Sequence, residues 1–401
     1  MASAGRPLRV LIIVENLPLP FDRRVWQEAN TLAAAGHRVS IICPTGKGFE
    51  ARYEELNGIA IYRHPLPLEG EGAMGYAAEY ASSLFWEFVL AIRVLRERGF
   101  DVIQACNPPD TIFLIGLFFK LFFRKNFVFD HHDINPELYI AKFGRKDVLY
   151  RLICLLERLT FMTADCSIAT NESYRQIAIS RGRMPPEKVI VVRSGPALDR
   201  LQIVPANPAW KKGKAYLVGY VGVMGKQEGL DHLLAAVKIL VEEMGRTDVH
   251  FVIIGGGTEL EAAKSLCTRM ALGSVVTFTG RIPDAPMVEA LCTADVCVNP
   301  DVANEMNDKS TMNKIMEYMA LGKPVVQYDL TEGRVSAQEA SLYAERNNPR
   351  DLAAKIAYLL DRPELRRQMG DFGFRRVRAD LHWGVEAPKY LRAMEKLGAA
   401  R

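Results

Sequence analysis

The segment DKSTMNKIMEYMALGKPVV (308–326) concentrates residue types that can hold a phosphorylated ligand. Ser310 or Thr311 is placed to cap a helix that runs through Leu321 and is ended by Gly322, with Pro324 and a strand behind it. Free N–H groups at a helix start bind anions. Lys309 at that end and Lys314 one turn in oppose the helix dipole unless an anion is present. Glu317 follows Ser310 by two turns, on roughly the same face, where a carboxylate can accept both hydroxyls of a ribose. The plain alternative is an amphipathic helix whose Lys–Glu pairs only face solvent.

Three further loops carry polar chemistry. In GYVGVMGKQEGLDHLL (219–234) an apolar run ends at Gly219, Gly222 and Gly225, spaced GxxGxxG; Lys226 follows, and a helix begins near Leu230. Glycines let backbone amides approach a phosphate. The spacing is not the GxGxxG of dinucleotide folds, so a nicotinamide oxidoreductase loses its main support. In VFDHHDINPELY (128–139) His131, His132 and Asp133 follow an apolar run directly. Adjacent residues on an extended segment point oppositely and do not easily share one ion. The pattern favours one of the two histidines aimed at a substrate with the other buried or orienting, over a purely structural role or a metal site. In ENLPLPFDRRVWQEA (15–29) Asn16 enters a proline loop, and Arg23 and Arg24 open a helix. A guanidinium fork suits phosphate or carboxylate; an arginine that only solvates its helix is the alternative. These residues, with Asn107 and Asp133, form the candidate acceptor-binding set.

Such loops need a scaffold that gathers them at one edge. Apolar runs at 9–14, 38–43, 101–106, 126–131, 166–170 and 188–193 alternate with helical patterns such as 23–36. Continuous β-branched runs suit parallel strands covered on both faces, and the alternation predicts a doubly wound α/β sheet. Residues 194–213 contain prolines and glycines without a clear period and read as a linker. The βα pattern restarts at 215–222, 250–257, 275–280, 295–300 and 323–329, and a last helical pattern covers 382–397. The expected architecture is two doubly wound Rossmann-like domains, 1–200 and 201–378, facing a cleft, with 379–401 a helix crossing back to the first. Ligands of such sheets bind beyond the carboxyl ends of the strands.

Bulk properties agree. A chain of 401 residues exceeds one ordinary core, and 49% apolar with 24% charged residues describes a soluble globular protein. A net charge of +4 does not argue for nucleic acid. The seven cysteines are scattered without a CxxC pair, which predicts buried free thiols and a reducing cytoplasm. Val10–Val14 is too short for a signal-peptide core, so no export signal is expected. The apolar stretch 111–123 is interrupted by Lys120, closed by Arg124-Lys125, and falls short of the roughly 18–20 residues that span a bilayer. FLIGLFFKLFFRK (113–125) reads either as a peripheral contact with an anionic membrane or as a buried helix; burial is the favoured reading.

In chain order these features are an Arg-containing turn after the first strand, a His after a mid-domain strand, SGP at 194–196, a glycine-rich loop, FTGRI at 278–282 and Glu317 in EYMALGKPVV. Together they resemble the retaining glycosyltransferases of the GT-B fold, the large family-4-like group of bacterial mannosyl-, glucosyl- and fucosyltransferases. The resemblance covers essentially the whole chain. It implies Glu317 on the donor ribose, Arg281 and Ile282 beside the base, His132 against the donor sugar, and amides near Met312 and Asn313 at the diphosphate. Ser194-Gly195 would be the hinge. The donor set so expected is Gly222, Gly225, Lys226, Arg281, Ile282, Lys309, Ser310, Thr311, Met312, Asn313, Lys314 and Glu317, with His132, Lys226 and Lys314 catalytic. The implied reaction moves a hexose from a UDP- or GDP-sugar to an acceptor hydroxyl of a polysaccharide or lipid-linked glycan, in the cytoplasm or at the inner membrane face. No cofactor beyond the nucleotide sugar is expected, and the sequence contains no DxD. Lys309 stands where the family often has a second glutamate, and Val223 and Glu228 stand where its glycine loop usually has Arg and Lys. Lys226 and Lys314 are then the residues that could replace the missing charge. Two other readings use the same fold: a nucleotide-sugar epimerase or hydrolase, served by Asp133 and Glu137 near His132, and a catalytically silent nucleotide-sugar-binding subunit, suggested by Lys309.

Overall fold

The apolar runs form strands whose ends fall within three residues of the sequence reading in the computed structural model, which describes residues 6–65 and 72–399. The chain divides into two units, Met1–Arg193 with Glu386–Arg401, and Ser194–Val385. The first unit contains β1 (Arg9–Ile13), β2 (Arg38–Pro44), β3 (Tyr53–Leu56), β4 (Ile59–His64), β5 (Val102–Cys106), β6 (Asn126–His131), β7 (Cys166–Ala169) and β8 (Val189–Val191). Its helices are α1 (Arg23–Ala34), α2 (Gly72–Glu97), α3 (Phe113–Phe123), α4 (Asn135–Phe143), α5 (Val148–Thr163) and α6 (Glu172–Ser180). The sheet order is β3-β4-β2-β1-β5-β6-β7-β8, parallel except for the antiparallel β3–β4 pair.

That hairpin is absent from the sequence reading, although its signal is present. Asn57-Gly58 joins the two strands with φ of 53° and 74°, the left-handed pair that a tight hairpin turn requires. Behind it Arg63 is buried, donating to the carbonyls of Ala51 (2.9 Å) and Leu19 (2.6 Å) and pairing with Glu54.

The second unit contains β9 (Tyr216–Val221), β10 (Val249–Ile254), β11 (Val276–Gly280), β12 (Val296–Asn299), β13 (Val325–Tyr328) and β14 (Ser341–Ala344). Its helices are α7 (Leu230–Lys238), α8 (Leu260–Arg269), α9 (Asp284–Thr293), α10 (Glu305–Lys309), α11 (Asn313–Ala320), α12 (Thr331–Ala337), α13 (Pro349–Leu360) and α14 (Pro363–Arg376). The order β11-β10-β9-β12-β13-β14 is the Rossmann order. Alternate strand residues feed two cores: Val218, Tyr220, Phe251 and Ile253 on one face, Leu217, Val252 and Ile254 on the other.

Residues 194–213 are not a free linker. Leu201 is buried in the second of these cores, and the Trp210 indole donates to Glu289 at 2.8 Å. Leu198, Leu201, Val204 and Trp210 dock at irregular intervals, which hides them from any periodicity search. All seven cysteines are free thiols, six of them buried. Among the described residues no helix is long and apolar enough to cross a membrane.

The last helix, α15 (Trp383–Ala399), starts in the second unit and ends in the first. Within the first unit, buried Tyr390 donates its hydroxyl to Gln104 Oε1 at 2.6 Å, and Gln104 Nε2 donates to Glu28 (2.7 Å) and Asp130 (2.9 Å). The terminal helix therefore supports a polar network under the loops described below. Tyr390→Phe, which keeps the ring, should cost about 1 kcal/mol, and Tyr390→Ala roughly 3–5 kcal/mol. Urea denaturation followed by circular dichroism checks both; equal losses would mean that the ring itself contributes nothing.

Candidate functional site

In the second unit the strand order reverses between β9 and β12, where an open parallel sheet leaves a ligand crevice at its carboxyl ends. The loop after β9, residues 222–229, is fitted against a second glycine loop, 255–257, after β10. Gly222 N–H donates to the Ile254 carbonyl (3.1 Å) and Met224 N–H to the Gly256 carbonyl (2.9 Å). A Cβ on Gly255 would lie 1.9 Å from the Gly222 oxygen. Gly229 has φ +63°, and a Cβ there would lie 2.0 Å from the Pro300 oxygen beyond β12. Backbone meets backbone at these points, so glycine is required. The GGG at 255–257 was legible but not read as a partner of 222–225. Lys226 opens a short turn on this loop; it is exposed and, among the described residues, unpaired.

α11 begins at Asn313, not at Ser310. The Asn304 side chain accepts from Asn307 N–H (2.9 Å) and starts the separate turn α10. Ser310 ends that turn, its hydroxyl donating to the Met306 carbonyl (2.7 Å), so it caps no helix start. Met312 precedes α11 without a side-chain cap, which leaves the first amides of α11 suited to an anion. Thr311 lies half-buried in the link between the two helices. Lys309 pairs with Glu305 at 2.7 Å.

Lys314 departs most from expectation. It is buried, with Nζ 2.6 Å from Asp301 Oδ1, hydrogen-bonded to Glu228 as well, and 5.1 Å above the Tyr220 ring. Burial opposes its charge, yet Asp301 and Glu228 outweigh that and hold the ammonium above its ordinary range. Burial pushes the Asp301 carboxyl up to about 7 against the pull of Lys314. Lys314 is therefore a tie between loops rather than a phosphate contact or catalytic group. Glu317, partly exposed, is engaged by the Arg200 guanidinium, which also lies 3.4 Å from Asp284. Arg200 escaped the sequence reading because 117 positions separate it from Glu317. Arg281 is exposed after β11, and Ile282 leans on the core.

The first unit reverses its order between β1 and β5. Asn107, after β5, accepts from the backbone N–H groups of His132 (2.8 Å) and Asp133 (3.1 Å). Its amide nitrogen donates to Asp110 (3.1 Å) and to the Asp133 carbonyl (2.6 Å). With both ends engaged, Asn107 clamps the loop after β6 and is not an acceptor contact. Arg24 is corrected likewise: its side chain, only 9% exposed, donates to Asp130 (3.2 Å) and the Val192 carbonyl (3.0 Å) and lies 3.1 Å from Glu28.

His132 keeps one ring edge in this network, Nε2 lying 2.9 Å from Asp130 Oδ2 and 3.0 Å from Arg24 Nε, and its side chain is 16% exposed. Burial alone would raise the Asp130 carboxyl; His132 and Arg24 overcome it and hold the group well below its ordinary range. His131 is the buried neighbour, its ring about 5 Å from those of Phe129, Phe161 and Tyr174, and burial lowers it to about 3. Cys106, Asp130 and His132 bring ligand atoms within 4.8 Å of one another, but a guanidinium already serves two of the three, which disfavours a further cation there. Asn16 and Arg23 are exposed and Asp133 is half-buried. Glu15, unread in the sequence, is buried at the end of β1, its carboxyl pushed up to about 7 by burial.

A family model described as "Glycosyl transferase 4-like domain" matches residues 22–195, and one described as "Glycosyl transferases group 1" matches 215–362. An uncharacterized glycosyltransferase of Methanocaldococcus jannaschii is 19% identical over 361 residues, covering 88% of each chain. Sucrose-phosphate synthase from Thermosynechococcus elongatus superposes with a TM-score of 0.81 at 19% identity, over 98% of this chain and 100% of that one. Anabaena HepE, solved with UDP and glucose, gives 0.74 at 15% identity over 97% and 100%.

Lys314→Met strands two carboxylates and should destabilise the protein by roughly 3–5 kcal/mol, with partial recovery in Lys314→Met/Asp301→Asn; urea midpoints report both. Glu15 yields a pH dependence. Its folded pKa lies above the unfolded one, so its contribution is complete below about 4.5 and is lost as pH rises to about 7. Glu15→Gln should flatten the fall in stability over that window by on the order of 3 kcal/mol, read from urea midpoints at pH 5 and 8. An unchanged profile would remove Glu15 as its source.

Proposed function

Because the chain belongs to the GT-B glycosyltransferases of the family-4-like group, we propose that it moves a sugar from a nucleoside diphosphate sugar to an acceptor hydroxyl with retention at the anomeric carbon. The supporting observation lies in the second unit: a helix start without a side-chain cap, an exposed Lys226 and Glu317 border the point where strand order reverses. We assign the diphosphate to the first amides of α11 and to Lys226, the ribose hydroxyls to Glu317, and the base to Arg281 and Ile282. Arg200 holds the Glu317 carboxylate in place. In the first unit His132 is assigned to a sugar hydroxyl, and Asn16, Arg23 and Asp133 to the acceptor.

As the bond between the anomeric carbon and the bridging oxygen breaks, negative charge grows on the diphosphate and positive charge on the ring. Fixed donors aimed at the diphosphate stabilise the first, each by about 2–4 kcal/mol. The acceptor hydroxyl enters from the leaving-group face, which retains configuration, and its proton passes to the departing phosphate oxygen. The helix start and Lys226 supply positive charge, so transfer should survive EDTA. HepE was solved with UDP and glucose, which makes uridine the first base to test.

Thermal-shift and calorimetric titration with UDP, GDP and their sugars should find at least one that stabilises the protein. Glu317→Ala should weaken that nucleotide roughly 10- to 100-fold through loss of charge-assisted hydrogen bonds, and Lys226→Ala should weaken the diphosphate forms while sparing the nucleoside. If no nucleotide binds, the donor assignment is wrong. Proton NMR of the product decides retention, since an inverted anomeric coupling would contradict it.

A further inference from the structure

Two helices of the first unit carry apolar side chains on the faces they do not bury. On α3, Phe113, Ile115 and Phe119 enter the core, while Leu114, Leu121 and Phe122 are 47, 67 and 71% exposed. On α5, Val148, Leu152, Leu155 and Met162 are 81, 46, 51 and 64% exposed. Their spacing of four, three and seven makes one stripe along the outer face. The helices adjoin: Lys120 on α3 donates to the Thr163 carbonyl at the end of α5 (2.8 Å), and the Thr160 hydroxyl to the Asp110 carbonyl just before α3 (2.7 Å). α2 extends the surface with exposed Phe85 and Val89, its Phe88 ring lying 4.9 Å from Phe118 of α3. An apolar area of this extent on a soluble domain marks a binding surface.

Charge decides the occupant. Lys142, Arg145, Lys146 and Arg151 are exposed around the start of α5, and Arg124 at the end of α3. Of the acidic residues between 113 and 163, Asp130, Glu137 and Glu157 are buried, and Asp133 belongs to the loop after β6. That leaves Asp147, which caps α5 and pairs with Arg145. The rim is basic. A second copy of this chain would oppose like charges across the contact, whereas an anionic lipid surface would neutralise them.

We propose that the α3–α5 face docks on an anionic lipid bilayer. Leu121, Phe122, Val148, Leu152, Leu155 and Met162 enter the boundary between headgroups and acyl chains. Lys142, Lys146 and Arg151 meet the headgroups. The inference rests on the first unit alone and does not depend on the donor assignment.

The test is co-sedimentation of the full chain with phosphatidylcholine vesicles, with and without phosphatidylglycerol. Wild type should pellet with the anionic vesicles and less so at high salt. Leu152→Glu/Leu155→Glu and Lys142→Glu/Lys146→Glu should each cut the bound fraction by about tenfold or more, with circular dichroism and melting temperature unchanged because the altered residues are exposed. Binding unaffected by both variants, or no binding to anionic vesicles, would overturn the proposal. So would a dimer in sedimentation velocity that Leu152→Glu/Leu155→Glu dissociates, since the face would then be covered by its own copy.

Discussion

The Lys314 ammonium, buried between Asp301 and Glu228, joins three segments: α11, the loop after β12 that lies 13 positions before it, and the loop after β9, 86 positions away. A charge left alone there would cost several kcal/mol, so the position of each segment is conditional on the other two. Backbone contacts remove what slack remains. Gly229 lies against Pro300, Gly255 against Gly222, and Val221 N–H donates to the hydroxyl of Tyr318, one turn beyond Lys314. With Lys314 and Tyr318 held inward, the start of α11 and the partly exposed Glu317 are set in direction as well as place. The polar groups proposed for the donor are thus carried on a frame held together by other groups, Lys314, Tyr318 and the glycine contacts among them.

The first unit solves the same problem with different residues. Arg24 from α1, Asp130 from β6, Gln104 from β5 and Tyr390 from α15 converge under the loops that follow β1, β5 and β6. Asn107 then fixes the backbone of His132 and Asp133. Only one edge of His132 is spent on the network. A histidine held in this way has a defined ring orientation, which the sugar-hydroxyl contact proposed for it would require.

Much of this was legible. Continuous β-branched runs and their helical spacers gave both doubly wound units, because a buried parallel strand must be apolar on both faces. Glu317, Lys226 and the region near Met312 could be named as candidates because helix starts and glycine turns have local signatures. What failed was pairing at long range. A lysine near a helix start reads as an anion ligand until its carboxylates are known, and Glu228 lies 86 positions from Lys314. Arg24 misled for the same reason, its partner Asp130 lying 106 positions away. The displaced helix start is a different kind of error, since Asn304 is as good a cap as Ser310 and only the packing chooses between them.

The departures from the resembled family become coherent once these pairs are seen. The glycine loop usually carries a lysine at the position of Glu228, and here the sign is reversed. The reversal is matched by Lys314, which meets Glu228 from the other side and shares itself with Asp301. The trio is at best neutral, because Asp301 takes up a proton readily when burial lifts its carboxyl to about 7; fully ionised, it carries one net negative charge. Neither state supplies positive charge to a diphosphate. In the proposed donor site the burden therefore falls on Lys226 and on the dipole and amides of α11. Lys226 is exposed on a turn that the backbone contacts at Gly222 and Gly229 hold from both ends. A cation on a fixed turn can meet phosphate without reorganising when charge develops there, which is the condition under which an electrostatic contact contributes most to a transition state.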